Sequence, residues 1–197
     1  MFSKVRRKDC YNAIAFVDIL TYGIFIAGWK QKDHPHLHNS FHIGDQLISI
    51  NGMIMESSAH AKDFIKHGPH SLEVVVKRIP FGQAFCLIRT HENEDLGLVR
   101  ENGSAEITHI IPNSIASNAG LLPKCSFYNE ECSTNHNWCF TEINNRPLNL
   151  FLKNNEVADR LHAIGKEISI LVQPYQFIKR LRKQLKSLKN YKDYIVQ

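Results

Sequence analysis

A chain of 197 residues with 43% hydrophobic and 22% charged residues lies in the ordinary globular range, which excludes a disordered or collagen-like polymer; its length suits one large domain or two small ones. The formal charge of +5 is concentrated at one end: from Pro174 onward, Lys179, Arg180, Arg182, Lys183, Lys186, Lys189 and Lys192 face only Asp193, so the rest is nearly neutral and gives no ground for a nucleic-acid fold. No apolar run approaches the roughly 18 residues of a membrane span, and the basic stretch from Met1 to Cys10 opens no signal peptide. With five cysteines in no disulfide-framework spacing, the expected setting is a reducing, cytoplasmic one.

In chain order, residues 13–20 and 23–27 read as two strands around Thr21-Tyr22. The run Gly44-Asp45-Gln46-Leu47-Ile48-Ser49-Ile50-Asn51-Gly52 reads as a tight turn, a strand and an Asn-Gly hairpin turn. A helix over 58–67 stops at Gly68-Pro69, and the β-branched run 72–77 is a strand. Ile79-Pro80-Phe81-Gly82 is the breaker-rich joint. Beyond it, 98–101 and 105–111 form a strand pair around Asn102-Gly103, 138–145 a strand and turn, 153–164 a helix and 167–172 a strand. Strand, turn, helix and strand therefore occur twice, which divides the chain into units at 2–78 and 81–173, with a tail at 174–197. The predicted class is mainly β with α: two partly open β-barrels or sandwiches, each with a groove helix, plus a C-terminal basic helix.

The Gly44 to Gly52 run resembles the Gly-Asp-x-Ile-x-x-Ile-Asn-Gly strand of PDZ domains. Asp95-Leu96-Gly97-Leu98 resembles that family's Gly-Leu-Gly-Phe carboxylate-binding loop, and the run from Ile111 to Leu121 resembles the segment after its third strand. The tandem, with Leu152 to Leu161 followed by a strand and a basic tail, is similar to the syntenin family and less closely to the Mint adaptors. The likeness covers most of residues 10–173.

What this resemblance implies is a peptide groove in each unit, where a C-terminal tail pairs with an edge strand beside a helix. In the first unit the groove residues would be Ala13, Ile14, Ala15, Phe16 and Asp18 with His60, Phe64 and His67; in the second, Leu96, Gly97, Leu98 and Arg100 with Asn154, Ala158 and Leu161. Gly97 would allow the carboxylate-binding turn. Alanine at positions 13 and 15 departs from the family glycines, and His67 stands where an apolar pocket residue is usual. His60 would favour Ser or Thr two residues before the ligand's end, whereas Asn154 implies no such preference.

The implied role is an adaptor for C-terminal peptides of membrane receptors or other proteins. The alternative is an assembly protein with one or both grooves degenerate, acting through self-association or domain surfaces. Neither needs a cofactor, and no catalytic motif points to an enzyme. The tail's Phe177, Leu181, Leu185 and Leu188 stripe suits docking onto the second unit; its cations Lys179, Arg180, Arg182, Lys183, Lys186 and Lys189 suit an anionic membrane surface, giving a peripheral location. His34, His36, His38 and His42 read as an exposed loop rather than a metal site. Cys125, Cys132, His136 and Cys139 have an order that could wrap zinc, but a flexible polar loop over 124–137 is the default expectation.

Overall fold

A computed structural model describes residues 1–101, 103–129, 132–151, 155–162 and 165–196. Among them the chain forms two compact units, one of Met1–Pro80 with Lys179–Gln197 and one of Phe81–Ile178. Both are built on open antiparallel sheets with few helices, so the fold is mainly β with some α.

The first unit contains β1 (Phe2–Arg6), α1 (Arg7–Cys10), β2 (Ile14–Ile19), β3 (Gly23–Trp29), a 3-10 helix at Pro35–Asn39, β4 (Gln46–Ile50), β5 (Met53–Ile54), α2 (Ser58–His67) and β6 (Ser71–Lys77). The sheet order is β1-β6-β4-β3-β2, with β5 hairpinned onto β4. Asn51 and Gly52 both take positive φ in that hairpin turn, the backbone shape an Asn-Gly pair tolerates best. The Asn51 side-chain oxygen then accepts from the Glu73 N–H at 2.7 Å. Asp45 explains the preceding turn: its fully buried carboxylate accepts from the backbone N–H groups of His42 at 2.9 Å and Ile79 at 3.1 Å. Such charge-assisted bonds compensate a buried anion. Helix α2 starts on Ser57, whose hydroxyl accepts from the His60 N–H at 3.1 Å, and it buries Ala61 and Ile65 over a core holding Phe16, Phe25, Trp29 and Phe41. Each such aromatic contributes about 2–3 kcal/mol by leaving water.

The second unit contains β7 (Gln83–Ile88), β8 (Leu98–Arg100), β9 (Glu106–Ile110), α3 (Ile115–Asn118), β10 (Cys125–Asn129), β11 (Cys132–His136), β12 (Trp138–Ile143), β13 (Arg146–Pro147), α4 (Glu156–Leu161) and β14 (Glu167–Pro174). Its order, β7-β14-β12-β9-β8 with β13 on β12, repeats the first unit strand for strand. Asn144 repeats Asn51, turning with positive φ and accepting from the Ser169 N–H at 3.0 Å. Two outer strands, β1 and β7, add to the sequence-predicted set. Residues 124–137, expected as a flexible loop, instead carry the β10–β11 hairpin, closed by pairing from Cys125 opposite His136 to Asn129 opposite Cys132.

Helix α5 (Tyr175–Ser187) begins in the second unit and ends in the first. Its stripe of Phe177, Ile178, Leu181 and Leu185 is fully buried, but residues 179 onward pack with the first unit rather than the second. Arg180 lies 5.9 Å from the Tyr22 ring centroid, a cation–π placement. The chain then makes a 3-10 helix at Tyr191–Tyr194 against β3 and buries Val196. No helix among the described residues is long and apolar enough to cross a membrane.

Candidate functional site

In the second unit β8 is the last strand of its sheet, hydrogen-bonded to β9 on one side only. A cavity of about 330 Å³ lies between it and α4, with Leu96, Leu98, Arg100, Ala158 and Leu161 in its wall. The structure thus brings together five of the seven residues read from the sequence for this groove. Asn154 lies outside the described residues. Gly97 shapes the loop: its φ is +78°, and a Cβ there would sit 2.1 Å from the Ser114 Cβ, so both conformation and space require glycine. Its N–H donates to the Asp95 carboxylate at 2.8 Å, so this amide already has an acceptor within the loop.

Arg89 is the residue that sequence reasoning missed. It is 4% exposed, lines the same cavity, and donates from Nε to the Glu94 carbonyl at 2.8 Å and from Nη2 to the Leu161 carbonyl at 2.8 Å. One guanidinium therefore ties the loop before β8 to the end of α4. Both partners are neutral, and among the described residues no carboxylate pairs with it. The Glu94 carboxylate is engaged elsewhere, accepting from the Thr90 N–H at 2.6 Å and hydroxyl at 2.9 Å; these bonds, the N–H first, hold its pKa below the usual range. Arg89 shares the cavity wall with Glu94 and Asp95 as well as Arg100, so its guanidinium offers a local attraction for an anion beside it rather than a positive field over the whole cavity.

The first unit repeats the scaffold with a different outcome. β2 is likewise an end strand, paired only with β3, and α2 packs against it. Ala13, Ile14, Ala15 and Phe16 are all at most 3% exposed. The remaining space is about 20 Å³, lined by Ile14, Phe16, Lys62, Ile65 and Tyr194 among others, room for about one water. Asp18 fastens the far end, accepting from the Ser58 N–H at 2.7 Å and hydroxyl at 2.6 Å. Burial pulls the Lys62 pKa down, opposed by Asp18. His60 sits half-buried in the first turn of α2, its Nδ1 accepting from the Glu56 N–H at 3.4 Å. Phe64 is half-buried, and His67 is exposed beside Asp63 at 3.3 Å; neither lines the remnant, where Lys62 and Ile65 stand instead.

The C-terminal segment supplies part of this closure. A Cβ on Gly28, opposite Ala15 in the β2–β3 register, would lie 2.1 Å from the Tyr194 carbonyl oxygen. The Lys30 ammonium lies 5.5 Å from the Tyr194 ring centroid, and burial, then Asp193, raises the tyrosine pKa. Of the candidate lipid-contacting cations, Lys179, Lys183, Lys186 and Lys189 are exposed, whereas Arg180 and Arg182 are half-buried.

Of the residues whose order could wrap zinc, Cys125 and Cys139 are buried thiols directed at backbone carbonyls: Cys125 Sγ to the His136 oxygen at 3.2 Å and Cys139 Sγ to its neighbour Phe140 at 3.6 Å. The side chain of Cys132 lies outside the described ones. Burial pushes the Cys125 thiol up to about 11. Cys86 is exposed, its thiol raised by a hydrogen bond to Glu167 at 3.2 Å. Iodoacetamide at neutral pH should therefore modify Cys86 slowly in the native protein, since its access outweighs a reduced thiolate fraction, and Cys125 only after unfolding, where burial and a raised pKa both protect it; peptide mapping after native and denatured labelling checks this.

No family model matches the chain, and no curated protein matches it. Among solved structures it is similar to INAD PDZ45 in complex with NG2 peptide, at 15% identity and a TM-score of 0.35, covering 88% of this chain and 89% of that one. It is also similar to the complex of INAD PDZ45 and NORPA CC-PBM, at 13% identity and the same TM-score of 0.35, covering 88% of this chain and 91% of that one.

Proposed function

We propose that the chain is a tandem of PDZ-type units and serves as a peptide-binding scaffold rather than an enzyme, with the second unit as its working site. In this reading the C-terminal end of a partner protein adds as a strand to β8, its last side chain enters the cavity between Leu98 and Leu161, and its carboxylate answers Arg89. The observation that carries this is the buried Arg89 guanidinium, bonded among the described residues to two carbonyls, in the wall of a cavity beside a one-sided edge strand. Edge-strand addition supplies main-chain hydrogen bonds and the apolar pocket selects the terminal residue. A volume near 330 Å³ falls at the small end of ligand pockets, which run from about 300 Å³ upward, so the end of a peptide, its terminal side chain with adjoining backbone, suits it. The Arg100 guanidinium further along the wall favours an acidic residue upstream in the ligand.

Partners of this kind include cytoplasmic tails of membrane receptors, and the exposed lysines of α5 would favour an anionic surface nearby. The narrower kinship to syntenin, and less closely to the Mint adaptors, belongs to this proposal on the strength of the sequence runs. For the first unit, the 20 Å³ remnant and the Asp18–Ser58 clasp favour the assembly reading, in which the unit has a packing role.

A library of peptides with apolar C-terminal residues, each with a free or an amidated end, tests the proposal by fluorescence polarisation. The free-carboxylate forms should bind and amidation should weaken them at least tenfold, about 1.4 kcal/mol. Equal binding of both forms would reject carboxylate capture.

A further inference from the structure

The first unit holds a group of side chains that the groove does not use. Asp9, at the penultimate position of α1, is buried, yet it faces two imidazoles from the far side of the β2–β3 hairpin. His34 Nδ1 lies 3.3 Å from Asp9 Oδ1, and His36 Nε2 lies 3.5 Å from Asp9 Oδ2. The three ligand atoms all fall within 4.8 Å of one another. His34 Nδ1 is screened from solvent, and the partner it meets is the Asp9 carboxylate.

These separations have a chemical meaning. Ligand atoms about 2.0–2.2 Å from a tetrahedral zinc ion stand roughly 3.3–3.5 Å from each other; His34 keeps that spacing from Oδ1 and His36 from Oδ2, so the carboxylate would turn to present one oxygen to a shared ion. Pro35, between the two histidines, fixes its own φ and so limits how far their backbones can diverge. Two imidazole nitrogens and one carboxylate oxygen form a donor set suited to Zn²⁺ and neighbouring first-row divalent ions. One position is left for water.

We infer that Asp9, His34 and His36 form a binding site for a divalent transition-metal ion of the zinc type. Arg6 stands against it, donating from Nε to Asp9 Oδ2 at 2.6 Å. Its side chain is 63% exposed although Asp9 is buried, so the guanidinium can move into water as the incoming ion takes over the neutralisation of the buried carboxylate. The bound ion would clip α1, and with it the Tyr11–Asn12 turn into β2, to the loop between β3 and β4. The site is independent of peptide binding by the second unit.

The test uses the full chain stripped with a chelator and titrated with Zn²⁺, and separately with Co²⁺, whose visible spectrum reports its ligands. The expected result is one equivalent bound, four-coordinate Co²⁺ bands without a thiolate charge-transfer band, and a thermal midpoint that rises with added Zn²⁺. His34→Gln and His36→Gln should each weaken binding at least tenfold, whereas His38→Gln, at an exposed histidine outside the group, should not. His36 is about half exposed, so its variant keeps the test decisive even if His34→Gln folds poorly. No saturable uptake below about millimolar metal, a thiolate band, or uptake unchanged in His36→Gln would overturn the site.

Discussion

Replacing Arg89 with methionine should abolish measurable capture of free-carboxylate peptides and destabilise the second unit by about 2–4 kcal/mol. The stability loss follows because the Glu94 and Leu161 carbonyls are left without their donor, each at about 1–3 kcal/mol for a buried unsatisfied group. Partial recovery offsets the sum, since methionine fills part of the volume and removes a buried charge. The binding loss has a separate origin, the missing guanidinium in the cavity wall. Arg89→Lys separates the two: it keeps the charge but cannot span both carbonyls, so it should retain more affinity than stability. Denaturant unfolding and peptide titration on the same preparations read both quantities. Unchanged affinity in Arg89→Met would remove the electrostatic basis for carboxylate recognition.

The second large effect is expected from Gly28→Ala. A methyl group 2.1 Å from the Tyr194 carbonyl cannot be accommodated, and the obstacle is backbone rather than a flexible side chain end. Overpacking of this kind costs about 1–3 kcal/mol, and the cheaper response is for residues 191–196 to leave the surface of β3. Tyr194 and Val196 should then become exposed, and trypsin should cleave after Lys189 and Lys192 faster than in the parent chain. If that segment is what keeps the remnant at Ile14 and Phe16 shut, the first unit should also gain weak peptide binding. Unaltered cleavage kinetics would show that the segment does not depend on Gly28 for its seat.

Much of this could be read from the residues because local chemistry dictated it. Gly44 to Gly52 has one plausible conformation, since Asn51-Gly52 demands a positive-φ turn and Asp45 needs backbone donors. Ser57 before a periodic run dictates where α2 begins. The wall residues Leu96, Leu98, Ala158 and Leu161 followed from the family resemblance, and the cavity gathers them. Other features depended on contacts that leave no local trace. β7 carries apolar Ala84, Cys86 and Ile88 at exposed positions beside the buried Leu87, so its sequence lacks the alternation that marks a half-buried strand. Arg89 belongs to no motif and acquires its meaning from two carbonyls brought together by the fold. The closure of the first groove depends on Tyr194, near the other end of the chain, and the Asp9, His34 and His36 group is assembled across a hairpin. Tail placement was misread for a related reason: the spacing of Phe177, Leu181 and Leu185 reveals that a face is buried, but not which surface buries it.

Because residues 179–196 complete the unit that holds residues 1–80, that unit is finished only after the intervening one has been synthesised. During translation its sheet must wait, with the β3 surface uncovered, until residues 191–196 have emerged, and that long-range closure should be among the slower folding events. Dissecting the protein by cutting near Pro80 would yield an incomplete N-terminal piece; a faithful excision would join the final segment back to it through an engineered linker.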